Sequence, residues 1–152
     1  MTALNLVSDQ RLQAPTMLVR VDPRFPGAWD QCSGFLQSAL DKAQGRDWTL
    51  DDMRQASTDG RAELWALVRG EEIVGAGLTC LTAYPARRVI EVLAMGTKPH
   101  HEECWWQALE QLRKIALAAG ITTIIGTGRP GWAKKLKASR QRIIWELDLA
   151  EE

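Results

Sequence analysis

RRVIEVLAMGTK (87–98) is the stretch that decides the fold. Ile90, Val92 and Ala94 alternate in it with Val89, Glu91, Leu93 and Met95. A period of two makes a strand, and both sets are apolar except for Glu91, which predicts a central strand covered on both sides. A carboxylate in that setting needs a partner or a raised pKa. The period then changes. In CWWQALEQLRKIALAAG (104–120), Trp105, Ala108, Leu109, Leu112, Ile115, Ala116 and Ala119 recur at steps of three and four. They form the apolar stripe of a helix predicted over about 100–119, with Gly120 as its stop. Between strand and helix lies TKPHHEEC (97–104), the junction where chemistry is most to be expected.

Working upstream, ELWALVRG (63–70) and EEIVGAGLTCLTAYP (71–85) read as two strands joined by a hairpin at Arg69-Gly70-Glu71. Gly75 and Gly77 lie two apart on the second strand, where they admit a close neighbour or mark a bulge. TMLVRV (16–21) is a short strand with Met17, Val19 and Val21 on one side, and DPRFPG (22–27) breaks it. From Ala28 to Ala43, Trp29, Cys32, Leu36, Leu40 and Ala43 mark an amphipathic helix that Gly45 can end. Thr49 is a candidate N-cap for a second short helix, with Asp52 three residues on. Residues 1–15 are polar, end at Pro15 and are expected to form a flexible N-terminal arm, leaving one domain over 16–152. Downstream, ITTIIGTGRPG (121–131) is a strand running into a glycine-rich turn. WAKKLKAS (132–139) is predicted as a short basic helix, and RIIWELDL (142–149) as a closing strand.

The bulk properties fit one globular domain of 152 residues with 45% hydrophobic and 25% charged residues and no net charge. That balance argues against whole-protein attraction to nucleic acid or a membrane surface. Cys32, Cys80 and Cys104 are widely spaced, so reduced thiols are expected. The first fifteen residues lack the pattern of a signal peptide, and no apolar run is long enough to span a bilayer. The seven tryptophans read as core packing.

Hairpin-joined antiparallel strands followed by a strand–helix–strand crossover describe an α+β fold. It is a mixed, mostly antiparallel central sheet with helices on both faces. This order resembles that of the GNAT acyltransferase superfamily over about residues 16–149. The best local matches are EVLAMGTK, CWWQALEQLRKIALAAG and TTIIGTGRPGWAKKL. GRPGWAKKL in particular resembles small GNAT-like proteins of tailed phages and prophages, including virion-associated ones.

The resemblance implies an acyl-CoA site, and the sequence departs from it at two places. In the family, the loop after the central strand carries Q/R-x-x-G-x-G/A. Small residues there let backbone N–H groups reach the pyrophosphate, and the helix dipole adds to this. Here no glycine follows Gly96, Pro99 removes a donor, and Glu102 and Glu103 put negative charge where phosphates would sit. The family's general acid is a tyrosine in the short helix after the next strand. Lys137 falls at that position, and the one tyrosine, Tyr84, lies elsewhere. Glu91 resembles the central-strand glutamate that serves some members as general base. Its other reading is a structural acid paired with Arg88 or Arg69. If acyl-CoA binds, the resemblance places it against Leu93, Met95, Gly96, Lys98, His100 and His101.

Other candidates are weaker. His100, His101, Glu102, Glu103 and Cys104 have metal-ligating side chains, but helical spacing lets only one histidine share a face with Cys104. Cys80 and Cys104 read as small packing groups rather than nucleophiles. GTGRPG (126–131) reads as a turn that lets Trp132 dock. Arg129, Lys134, Lys135, Lys137, Arg140 and Arg142 form a basic set with no acid among it. It is either a solvated face or a patch for nucleic acid, a CoA phosphate or an acidic protein.

Two functions follow from the resemblance. One is a GNAT-like domain with a degenerate acyl-CoA site and no cofactor. It would serve as a structural or assembly component of a tailed phage or prophage, in the bacterial cytoplasm or the virion, with protein partners or copies of itself. The other is an active N-acetyltransferase that uses acetyl-CoA on an unknown amine.

Overall fold

The structure, a computed structural model, describes residues 14–43, 47–127, 136–138, 147 and 149. In chain order the elements are β1 (Thr16–Val21), α1 (Ala28–Lys42), α2 (Leu50–Thr58), β2 (Glu63–Arg69), β3 (Glu72–Ala83), β4 (Arg88–Thr97), α3 (Glu102–Ala118) and β5 (Ile124–Gly126). The strands form one sheet in the order β1-β2-β3-β4-β5, antiparallel except for the parallel pair β4–β5. This is the predicted architecture as far as β5. The arm over residues 1–13, the end of α1 near Gly45, and most of the helix and strand predicted beyond residue 131 lie outside the described residues.

Two cores sandwich the sheet. Trp29, Cys32 and Leu36 of α1 and Met53 and Ala56 of α2 pack on Leu64, Ala66, Ala76, Leu78 and Ala94. Cys104 and Ala108 of α3 pack on Leu67 and Val74, with Leu18 and Met95 at the margin. The buried line of α3 is Cys104, Ala108, Leu112 and Ala116, at strict four-residue steps. Ala108, Leu112 and Ala116 keep their predicted places, while Cys104 takes the place of Trp105 at the head of the stripe. Trp105 is only half-buried and Ile115 and Ala119 are exposed, because small residues rather than the large ones let the helix approach the sheet. β1 departs as well. Met17 and Val19 are exposed and the fully covered residue is Thr16, while Val21 of the predicted set does pack against the α1–α2 core.

The face assignment for β4 also changes. Its register against β3 pairs Leu78 with Ala94 and then Thr79 with Val92, so Leu93 is an extra residue at a bulge. A bulge flips the alternation. Ala94 consequently joins the α1–α2 core, while Met95 faces the α3 side. The predicted sets 90/92/94 and 89/91/93/95 therefore do not persist along the whole strand.

The hairpin between β2 and β3 is the predicted one. Arg69 pairs with Glu72, and Gly70 takes φ 63°, which the tight turn requires. The start of α2 is equally local. The Thr49 hydroxyl accepts from the Asp52 N–H at 3.1 Å, and the Asp52 carboxylate accepts from the Thr49 N–H at 2.9 Å, a complete capping box. Thr49→Ala is expected to cost about 1 kcal/mol, read as a fall in the urea midpoint at unchanged slope. Those same bonds hold the Asp52 pKa below its ordinary 3.8, first through the Thr49 backbone N–H. The stabilisation is present above 3.8 and disappears as pH falls through the lower folded value. Acid melts of wild type and Asp52→Asn should therefore converge below that range.

Candidate functional site

β4 lies between two different neighbours. β3 pairs with it along nearly its whole length, whereas β5 pairs only with Ile90, Glu91 and Val92. The pairing with β5 ends at Val92, just before the Leu93 bulge. Ala94, Met95 and Gly96 pair with β3 on one side, and among the described residues no strand pairs with their other side. The predicted cofactor residues lie along this stretch and just beyond it.

Their individual environments differ. Leu93 is the half-buried bulge residue, and Met95 packs toward α3. Gly96 lies directly under the backbone of α1: a Cβ built on it would overlap the carbonyl oxygen of Phe35. Lys98 is not free, because its ammonium pairs with the Glu72 carboxylate, which holds the Glu72 pKa below its ordinary value. The Lys98 N–H donates to the Val74 carbonyl at 2.8 Å. His100 turns the corner with φ 66°, a left-handed backbone unusual for a residue with a Cβ. His101 caps α3 without a side-chain cap bond, and its Nδ1 lies 3.0 Å from the Pro99 carbonyl oxygen. The junction is therefore short, running from Lys98 to His101, and α3 begins at Glu102.

Electrostatics at this helix start run against an anion. Glu102 and Glu103 occupy the first turn of α3, where carboxylates complement the dipole in place of a ligand. Arg69, the other cation nearby, puts its Nη1 3.4 Å from Glu103 with only 14% of its side chain exposed. At the far end of α3, Arg88 donates to the Ala119 carbonyl at 3.2 Å. Arg69 and Arg88 thus have other partners, and the expected pairing of either with Glu91 is not made.

The polar neighbour of Glu91 is instead Cys80, whose Sγ lies 3.9 Å from its Oε2, with Thr82 Oγ1 3.8 Å from the same sulfur. Burial pushes the Cys80 pKa up; the contact with Thr82 opposes this less strongly, and the Glu91 carboxylate adds to the rise. Cys80 is thus kept as a thiol, consistent with packing rather than nucleophilic attack. Cys32 and Cys104 are fully buried. Among the described residues no group of three or more His, Cys, Asp or Glu could hold a metal ion, so the cluster 100–104 does not assemble into one. No helix among them is long and apolar enough to cross a membrane.

Of the basic set, Arg129, Lys134, Lys135, Arg140 and Arg142 lie outside the described residues. Lys137 is exposed in a turn with φ 51°, so the helix predicted over 132–139 does not run through it. Gln107 and Gln111, unremarked in the sequence, prove to be the main polar link between α3 and β1. Glutamines on a helix surface carry no pattern that separates such a role from solvation.

No protein-family model and no curated protein matches the sequence. Solved structures do match over nearly the whole chain. One is an aminoglycoside acetyltransferase from an uncultured soil metagenomic sample in complex with sisomicin, with a TM-score of 0.66 at 7% identity, covering 88% of this chain and 96% of that one. A predicted acetyltransferase with acetyl-CoA from Clostridium acetobutylicum gives 0.65 at 14% identity, covering 90% and 98%. The ribosomal-protein-alanine N-acetyltransferase from Brucella melitensis biovar Abortus 2308 gives 0.63 at 13% identity, covering 88% and 97%. At such identities the likeness establishes architecture alone. The chain has the GNAT acetyltransferase fold: a five-stranded, mostly antiparallel sheet among the described residues, clasped by helices on both faces.

Proposed function

We propose that this chain is a GNAT-fold domain whose acyl-CoA site is degenerate, and that it serves as a structural or assembly component of a tailed phage or prophage. It would act through contacts with proteins, in the host cytoplasm or in the virion. The observation that carries this reading is the β4–α3 junction. A pyrophosphate needs several N–H donors converging at a helix start that tolerates negative charge. Between residues 98 and 104, Pro99 has no N–H, and the N–H groups of Lys98, His101 and Cys104 already donate to backbone carbonyls. The cations that would offset Glu102 and Glu103 are engaged by Glu72 and by Glu103 itself. The phage assignment rests on the resemblance of GRPGWAKKL alone.

The end of β4 favours a second reading, an active acetyl-CoA-dependent N-acetyltransferase. The backbone edge of Ala94–Gly96, which no strand pairs among the described residues, has the polarity to hold an extended pantetheine arm. Glu91, which pairs with no arginine among the described residues, would take the proton from the attacking amine as the new C–N bond replaces the thioester C–S bond and CoA leaves.

Calorimetric titration with acetyl-CoA and with free CoA separates the two. The degenerate site predicts no heat at millimolar ligand from a protein shown to be folded. Micromolar binding would overturn that reading, and loss of turnover in Glu91→Gln would then support the second.

A further inference from the structure

Among the described residues β1 is the outer strand of the sheet, and its outer edge is not open. The Thr16 N–H donates to Gln107 Oε1 at 2.8 Å, and the Leu18 N–H donates to Gln111 Oε1 at 2.9 Å. Gln111 Nε2 donates back to the Thr16 carbonyl at 2.6 Å. Two residues along a strand advance about 6.7 Å and four along a helix about 6 Å, so an i, i+4 glutamine pair matches successive outward-facing strand residues. The two amides therefore imitate a neighbouring strand. What they cover is a pairing edge of high β propensity, Thr-Met-Leu-Val-Arg-Val, whose Met17 and Val19 are 53% and 43% exposed.

We propose that the outer edge of β1 is a latched strand-addition surface whose occupant is β1 of a second copy of this chain, and that Gln107 and Gln111 are the latch. The edge is self-complementary. Antiparallel pairing about a two-fold axis at Leu18 sets Thr16 of each copy opposite Arg20 of the other, with no like charges face to face. It also sets Met17 of each copy opposite Val19 of the other, so the exposed apolar side chains cover one another. The hydrogen-bond exchange is even. Opening both latches gives up three bonds in each copy, six in all, and three closely bonded residue pairs supply about six in return. The balance between monomer and dimer is then set by the latch against the apolar cover, and it is independent of whether acyl-CoA binds.

The test is sedimentation over a concentration series, with hydrogen exchange at Thr16, Leu18 and Arg20, on the full chain and on Gln107→Ala/Gln111→Ala. The double variant is expected to dimerise at least about 100-fold more tightly than wild type. Its Thr16 and Leu18 amides should exchange freely when dilute and become protected as the dimer forms. Adding Met17→Lys and Val19→Lys to it should restore the monomer. If the double variant does not fold, Gln111→Glu replaces it, since glutamate still accepts from Leu18 but cannot donate to Thr16. A folded variant that stays monomeric at millimolar concentration would overturn the proposal. So would association that leaves the Thr16 and Leu18 amides unprotected.

Discussion

Gly96→Ala is expected to destabilise the protein by about 3 kcal/mol, the upper part of the usual range for overpacking a tight interior. In a domain of this size that corresponds to a fall in Tm of about 6–12 °C. The reason is the neighbour. A methyl group at Gly96 would overlap the Phe35 carbonyl oxygen and come within 3.1 Å of its carbonyl carbon, and both atoms belong to the backbone of α1. A flexible side chain could swing away, but a helix backbone moves only as a unit, and α1 is fastened by Trp29, Cys32 and Leu36 in the core. Gly77 is the internal control. A methyl there would meet the terminal carbon of Met95 at 2.8 Å, which the thioether can vacate, so Gly77→Ala should cost much less. Equal losses at the two sites would show that backbone approach is not what Gly96 provides. A rise in stability for Gly96→Ala would remove the close approach of α1 to β4 altogether.

Gly96 also bears on the candidate site. It is the last glycine before α3, and it is committed to the contact with α1. On the proposed reading of a degenerate site, this contact leaves the junction without a glycine free to approach a phosphate.

Periodicity made the order of elements legible wherever it was unbroken. β1, α1, the capping box at Thr49 and the hairpin at Gly70 each depend on residues a few positions apart, and all lie where their sequence places them. What failed was anything decided across the sheet. The extra residue at Leu93 is a matter of register with β3, so a strict period of two carried the wrong residues to the wrong face beyond Val92. The α3 stripe narrowed to Cys104, Ala108, Leu112 and Ala116 because small residues let the helix come close, and apolarity alone ranked Trp105 above Cys104. The candidate site divides the same way. The missing glycines and the two glutamates are visible in the letters. The pairing of Lys98 with Glu72 and of Arg69 with Glu103 spans 26 and 34 residues and is set by the tertiary fold.

Alkaline pH is expected to weaken the fold through Cys32. Its side chain is fully buried in the α1–α2 core, and burial alone pushes its pKa from an ordinary 9.0 up to about 11. Below pH 9 the thiol is neutral in both folded and unfolded chains and contributes no pH dependence. Between 9 and 11 the unfolded chain releases the proton while the folded chain retains it, so the unfolded state binds fewer protons and stability falls as pH rises. A difference of two pKa units amounts to about 2–3 kcal/mol by pH 11. The contrast with Cys32→Ala isolates the contribution of this thiol. That variant should begin somewhat less stable at pH 7.5, having lost a buried sulfur, and then lose less of its stability than wild type by pH 10.5. Urea titrations of both proteins at both pH values give the four free energies. Parallel losses would mean that the thiol ionises as readily in the folded chain as in water, and that α1 does not seal it from solvent. Divergence would tie alkaline stability to α1, the same helix that closes over Gly96, so that one helix sets both the packing against β4 and the upper pH limit of the fold.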